Sequence, residues 1–236
     1  MSNNLLVIGS ESEISNYYLG KSYKEYENIV GIDQYSYSKN KYISYYKLDI
    51  TNTNEIKKFD SILEKESIIY NKILFLSGVN YASSFASIDF EKWQTTINVN
   101  TTSILFILKR IFPYLAQVTS IVVLGSQNGV VAHENRLDYG TSKAALIHLV
   151  KNLSVEFSKV EDKDIRINAI SPSYILSEKS YKYLSSNIGK RLLRRIPYKR
   201  FVELDDVEGC INFLFSNSSK AIRGQNIIID YGYTIV

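Results

Sequence analysis

Ser120-Ile-Val-Val-Leu-Gly-Ser126 is an unbroken apolar run that stops at a small polar residue. A strand with one face in water alternates apolar and polar residues, whereas a strand covered on both faces reads as a continuous Val/Ile/Leu stretch. The run therefore predicts an interior strand of a parallel sheet. Stretches of the same form lie at residues 5–9, 29–33, 45–50, 73–78, 165–171 and 226–230, and amphipathic stretches between them predict helices at 13–18, 54–66, 90–115, 139–160 and 205–215. Such an alternation predicts an α/β architecture, a doubly wound parallel sheet with helices on both faces.

The chain has 236 residues, a length at which one domain spanning 1–236 is expected. Its 45% hydrophobic and 22% charged residues are those of an ordinary globule. No apolar run of membrane-spanning length and no leader-like opening is present, so the expectation is a cytoplasmic protein without a membrane partner. Cys210 is the single cysteine, and His133 and His148 are the two histidines; neither a disulfide nor a metal site is expected. The net charge of +4 conceals an uneven distribution, because residues 177–200 carry eight lysines and arginines against one acid, Glu178.

Ligands of a doubly wound sheet bind beyond the C-terminal ends of its strands. That rule directs attention to Gly9, Asp33, Asp49, Gly78, Ser126 and the residues after Ser171. Tyr139-Gly-Thr-Ser-Lys143 opens a helix whose i, i+4 spacing sets a phenol and an ammonium on one face. An ammonium nearby favours phenolate and so makes tyrosine a better acid/base. Ser126 lies thirteen residues before Tyr139, and Trp93, Asn100 and Pro113 follow one another at spacings of seven and thirteen.

With these residues in register, the chain resembles the compact, single-domain branch of the short-chain dehydrogenase/reductase family, which uses an Asn, Ser, Tyr, Lys tetrad. The resemblance runs from Leu5 to the C-terminus. Arg166-Ile-Asn-Ala-Ile-Ser-Pro-Ser173 is similar to the family's RVNAVAPG segment, with Ser173 for Gly. Residues 200–207 and 224–232 resemble its C-terminal signature. The resemblance implies a Rossmann-like fold and a hydride exchange between a nicotinamide and an alcohol or carbonyl. Tyr139 would exchange the proton, Lys143 would lower its pKa and bind the nicotinamide ribose, Ser126 would position the substrate oxygen, and Asn100 would hold a relay water. Pro172, Ile175 and Ser177 match nicotinamide-side positions, and 174–200 matches a substrate lid. Family members form homodimers or homotetramers.

Asp33 can accept hydrogen bonds from the adenosine ribose and repels a 2′-phosphate, so NAD(H) is expected over NADP(H). No Arg or Lys stands at Ser10, Glu11, Ser12 or Gln34. Asp49 and Ile50 match the adenine-contacting pair. The glycine-rich loop departs from the family pattern. TGxxxGxG reads Ile8-Gly9-Ser10-Glu11-Ser12-Glu13-Ile14-Ser15, in which only Gly9 survives beside the cofactor positions Ser10 and Ile14. Glu13 then either opposes the pyrophosphate or, with Ser10, forms an S-x-x-E capping box. NNAG is replaced by Phe75-Leu-Ser-Gly78. Two functions follow: a working NAD-dependent oxidoreductase with a remodelled loop, or a member that binds a ligand or partner without turnover.

The basic stretch also has two readings, a solvated helix face or a set of charges including Arg191, Arg194 and Arg195 that converge on an anionic small-molecule substrate such as a sugar derivative or acyl thioester. It lacks a nucleic-acid recognition motif, and no nucleic-acid partner is expected.

Overall fold

The computed structural model describes residues 2–236. Its strands are β1 (Asn4–Ile8), β2 (Asn28–Asp33), β3 (Ser44–Lys47), β4 (Tyr70–Phe75), β5 (Leu115–Leu124), β6 (Asp164–Pro172), β7 (Ile175–Leu176), β8 (Val202–Glu203) and β9 (Asn226–Ile229). The helices are α1 (Glu13–Ser22), α2 (Thr53–Glu66), α3 (Phe90–Ile97), α4 (Ser103–Ile111), α5 (Leu137–Phe157), α6 (Glu178–Leu184), α7 (Asn187–Arg195) and α8 (Leu204–Phe215). Seven strands form one parallel sheet in the order β3-β2-β1-β4-β5-β6-β9, while β7 and β8 make a separate two-stranded ribbon. The expected Rossmann-like α/β sheet is what the chain forms.

β1 shows why its sequence does not alternate. All five of its residues are buried, and successive side chains enter opposite cores. Leu6 and Ile8 join the core containing Phe59 of α2, Ile104 and Ile107 of α4, and Leu146 and Val150 of α5. Leu5 and Val7 join the other, with Tyr18 and Leu19 of α1 and Val207, Ile211 and Leu214 of α8. Each such side chain taken out of water contributes roughly 1.5–3 kcal/mol, so both faces demand apolar residues.

The strand order reverses between β1 and β4, opening a crevice at their C-terminal ends. The turns after β1, β2 and β4 meet there.

One expectation is corrected along residues 90–115. A single helix was expected, but α3 and α4 are separated by a π-helical turn at Asn98–Thr102, and a 3-10 turn at Phe112–Tyr114 ends the second helix at Pro113. The π turn falls at Asn100, whose side chain is drawn into bonds outside its own helix. Such bulges recur at functional positions. Among the described residues no helix is long and apolar enough to cross a membrane.

The two faces of α4 give a direct test. Ile107 is fully buried and Leu105 is 38% exposed. Ile107→Ala should lower the urea-unfolding free energy by about 2–5 kcal/mol, and Leu105→Ala by under about 0.5 kcal/mol. Equal losses would mean that α4 presents a different face to the sheet.

Candidate active site

The chain leaves β1 through Gly9, whose φ of +86° is open to glycine and strained for other residues. A Cβ there would lie 2.5 Å from the Ser77 backbone nitrogen. The amides of Gly9 and Ser10 both donate to the Ile32 carbonyl, at 2.8 and 3.2 Å, which bends the loop over the end of β2. Ser12, not Ser10, caps α1: its hydroxyl accepts from the Ser15 amide at 3.2 Å. The Ser10–Glu13 capping box is therefore absent. Ser10 is fully buried, with its hydroxyl unpaired. Ile14 turns its side chain toward the core beneath α1.

Glu13 takes neither expected role. Its carboxylate accepts from the Ser177 hydroxyl at 2.9 Å and the Lys179 amide at 3.0 Å, joining the start of α1 to the segment around α6. An amide at the start of a helix has no partner within that helix and takes an external acceptor.

Beside this loop lies a cavity of about 220 Å³ lined by Gly9, Glu11, Ser12, Asp33, Asp49, Ile50, Gly78 and Lys179, among others. Asp33 is held in place by two amides, Glu11 N–H to Oδ2 at 2.9 Å and Gln34 N–H to Oδ1 at 2.7 Å. A carboxylate has about four lone-pair sites, so Asp33 retains acceptor capacity toward a ligand hydroxyl. Glu11 accepts from the Ser38 hydroxyl and the Lys39 amide, pinning the loop after β2. Asp49 accepts from the Thr51 amide at 2.8 Å. Ser77, also in the wall, has a buried hydroxyl without a partner. A slot of this size, with a fixed carboxylate at the end of β2 and a glycine at the end of β1, fits the adenosine half of a dinucleotide.

At the far side of Gly78 the tetrad residues come together. A Cβ on Gly78 would lie 3.4 Å from Asn100 Oδ1 and 3.5 Å from Lys143 Nζ, so both groups line its open side. Asn100 is fully buried; its Oδ1 accepts from the Val79 amide at 2.8 Å, and its Nδ2 donates to the Val79 carbonyl at 3.0 Å and the Ser142 hydroxyl at 2.9 Å. This side chain ties the turn after β4 to α5. Ser126 follows β5, and its hydroxyl accepts from the Asn128 amide at 3.2 Å. The 3-10 turn at Gln127–Gly129 docks closely on α5, because a Cβ on Gly129 would lie 2.7 Å from the Lys143 carbonyl carbon.

Lys143 is 1% exposed, and its Nζ donates to the Leu124 carbonyl at 2.7 Å. Burial lowers its pKa to about 8. Tyr139 departs from the expectation that Lys143 would lower its pKa. Burial raises the phenol above its ordinary value, and the lowering influences are the neighbouring Ser126 hydroxyl and the charge of Arg136. The ammonium is committed to Leu124 and sits 5.7 Å from the Tyr139 ring centre, so desolvation dominates.

Pro172 ends β6, Ile175 starts β7, and Ser177 is bonded to Glu13. Arg191, Arg194 and Arg195 are all exposed on α7, and none has a hydrogen bond or ion pair with a tetrad residue among the described residues. Leu192 and Ile196 are the residues that turn inward, and the three arginines face solvent. Sequence reading passed over Arg136, which stands three residues before Tyr139, and the group beyond Ser126. There Tyr174 Oη bonds His133 Nε2 at 2.8 Å and packs edge-on against Phe201 and Tyr233.

A family model described as enoyl-(acyl carrier protein) reductase matches residues 32–234. An NAD-dependent glycerol dehydrogenase of Listeria innocua is 32% identical over 195 residues, covering 80% of this chain and 74% of that protein. A 3-oxoacyl-(acyl-carrier-protein) reductase of Thermotoga maritima is 30% identical over 195 residues, covering 80% and 76%. Among solved structures, a short chain dehydrogenase family protein from Francisella tularensis superposes over the whole of both chains with a TM-score of 0.86 at 22% identity, a likeness of fold.

The buried ammonium makes stability depend on pH. Between about 8 and 10.5 the unfolded chain holds a proton that folded Lys143 has released, so folding free energy gains as pH rises through that window and loses as pH falls through about 8. Lys143→Met should flatten this rise when urea unfolding is followed across the window. An unchanged slope would show that Lys143 is solvated.

Proposed function

The chain belongs to the short-chain dehydrogenase/reductase family, and from that premise we propose that it is an NAD-dependent oxidoreductase acting on a small alcohol or its carbonyl product. The observation that carries this reading is that buried Asn100 and Lys143 both face Gly78, a residue that also lines the cavity holding Asp33. Nothing in folding alone requires an ammonium buried without a counter-charge next to a desolvated phenol, since both raise the cost of burial.

Asp33, Asp49, Ile50, Gly9 and Gly78 would hold the adenosine half of the cofactor, and Lys143, Pro172, Ile175 and Ser177 the nicotinamide half. Bound nicotinamide supplies hydride transfer. The protein's part is to manage the oxygen. Ser126 Oγ and Tyr139 Oη would both bond the substrate oxygen, and Tyr139 Oη would donate or accept its proton as charge develops there. Lys143 would favour the phenolate once a ligand displaces its bond to Leu124. Asn100 acts as a positioning residue, because its amide is occupied by Val79 and Ser142.

Asp33 supports NAD over NADP, since a 2′-phosphate beside it would meet like charge. The Listeria relative is named for NAD and glycerol, and a solved neighbour, 4-hydroxyisoleucine dehydrogenase, is complexed with NADH. Tyr174, His133 and Gln127 offer hydroxyl, imidazole and amide groups beyond Ser126, a lining suited to a polar small molecule. Residues 1–236 would work as one catalytic unit, with 174–200 as the lid. The exposed Phe106 of α4 and Val155 of α5 support a homodimer or homotetramer built on those helices.

NADH binding to cofactor-free protein, followed by fluorescence, and NAD reduction with a panel of polyols and secondary alcohols test the proposal together. Tyr139→Phe should bind NADH within about twofold of wild type and lose at least about 100-fold in turnover. NADH binding without turnover of any alcohol or ketone would favour the binding-only alternative. The arginines of α7 yield a separate expectation. The Arg194→Ala, Arg195→Ala double variant should leave kcat/KM within about twofold for neutral and anionic substrates alike, at low and high salt. A selective loss with the anionic substrate would bring α7 back into the site.

A further inference from the structure

The cavity between the ends of β1 and β4 is electrostatically unbalanced for the ligand proposed above. Its lining includes three acidic residues, Glu11, Asp33 and Asp49, and one basic residue, Lys179. A dinucleotide brings two further negative charges on its diphosphate. Glycine-rich loops meet this demand with backbone amides brought close to the phosphates at a helix start. Here Glu13 and Ser15 occupy the later glycine positions, and Ser15 is fully buried.

The position of Lys179 is set from the same loop. Glu13 accepts from the Ser177 hydroxyl and the Lys179 amide, 164 and 166 residues away in sequence. The residue that replaces a glycine is thus absent from the cavity lining, and its carboxylate anchors the backbone of Lys179, which is part of that lining.

We propose that Lys179 is the diphosphate-binding cation of this protein, and that Glu13 is the positioning residue that brings it there. The proposal rests on the dinucleotide reading of the cavity. Its physical content is the replacement of fixed backbone dipoles by a mobile point charge. An ammonium on a four-carbon stem can follow a phosphate as a point charge without the fixed geometry that an arginine fork demands. It also makes affinity dependent on ionic strength, because an exposed charge is screened where buried amides are not.

Isothermal titration of the full-length protein with NADH, NADPH, ADP-ribose and adenosine tests this without relying on turnover. Lys179→Gln should weaken NADH and ADP-ribose by about tenfold each and adenosine by less than about twofold, the loss of one charge-assisted contact. Lys179→Arg should restore most of the affinity. Added salt should weaken ADP-ribose binding to wild type more steeply than to Lys179→Gln. Unchanged affinities in Lys179→Gln would overturn the proposal, and so would a loss confined to NADPH, which would make Lys179 a reader of the 2′-phosphate. If wild type bound ADP-ribose but not NADH, the dehydrogenase reading would fall, and the tenfold loss of ADP-ribose in Lys179→Gln would still support the diphosphate assignment.

Discussion

Burial of the central sheet on both faces is the constraint from which the rest of this molecule follows. Strands between the edges are mostly apolar on both sides, with buried exceptions such as Arg166 and Asn168 of β6, so the polar residues open to a ligand accumulate where strands end. In β1 the chain passes from Leu5, Leu6, Val7 and Ile8, shared between two cores, to Gly9 at the sheet's C-terminal edge. β2 ends at Asp33 and β5 leads to Ser126 in the same way. Because all seven strands are parallel, these ends lie along one edge, and the reversal of strand order at β1 and β4 parts the loops there.

Holding the reacting groups at that edge takes backbone as much as side chains. Asn100 lies in a π turn that interrupts what is otherwise one helical stretch, and its amide joins the turn after β4 to Ser142 on α5. Gly129 lets the turn after Ser126 press against the same helix. Ser126, Tyr139 and Lys143 are thereby referred to one rigid element. The cost is an ammonium buried with a single carbonyl partner, and such a group is expensive to bury unless it has work to do.

The altered glycine loop is the clearest case of one substitution changing the meaning of others. A carboxylate at Glu13, considered within its own loop, opposes an anion. Joined to Ser177 and the Lys179 amide, it becomes a structural link between the start of α1 and the segment around α6. Net charge in the loop matters less than where each charge is turned.

Local periodicity was legible without the fold: unbroken apolar runs specify doubly covered strands, i, i+4 spacing places Tyr139 and Lys143 together, and Gly9 stands where the first apolar run stops. These are properties of a residue and its near neighbours, and physics at that range is largely independent of the rest of the chain. The interruption at Asn100, the exposure of Arg191, Arg194 and Arg195, the raised pKa of Tyr139 and the partner of Glu13 were decided by tertiary structure alone. Each depends on which of several possible partners, up to 166 residues distant, arrives within hydrogen-bonding or desolvating range. A polar side chain takes its role from the groups that packing brings to it, and packing is settled only when both cores of the sheet have closed.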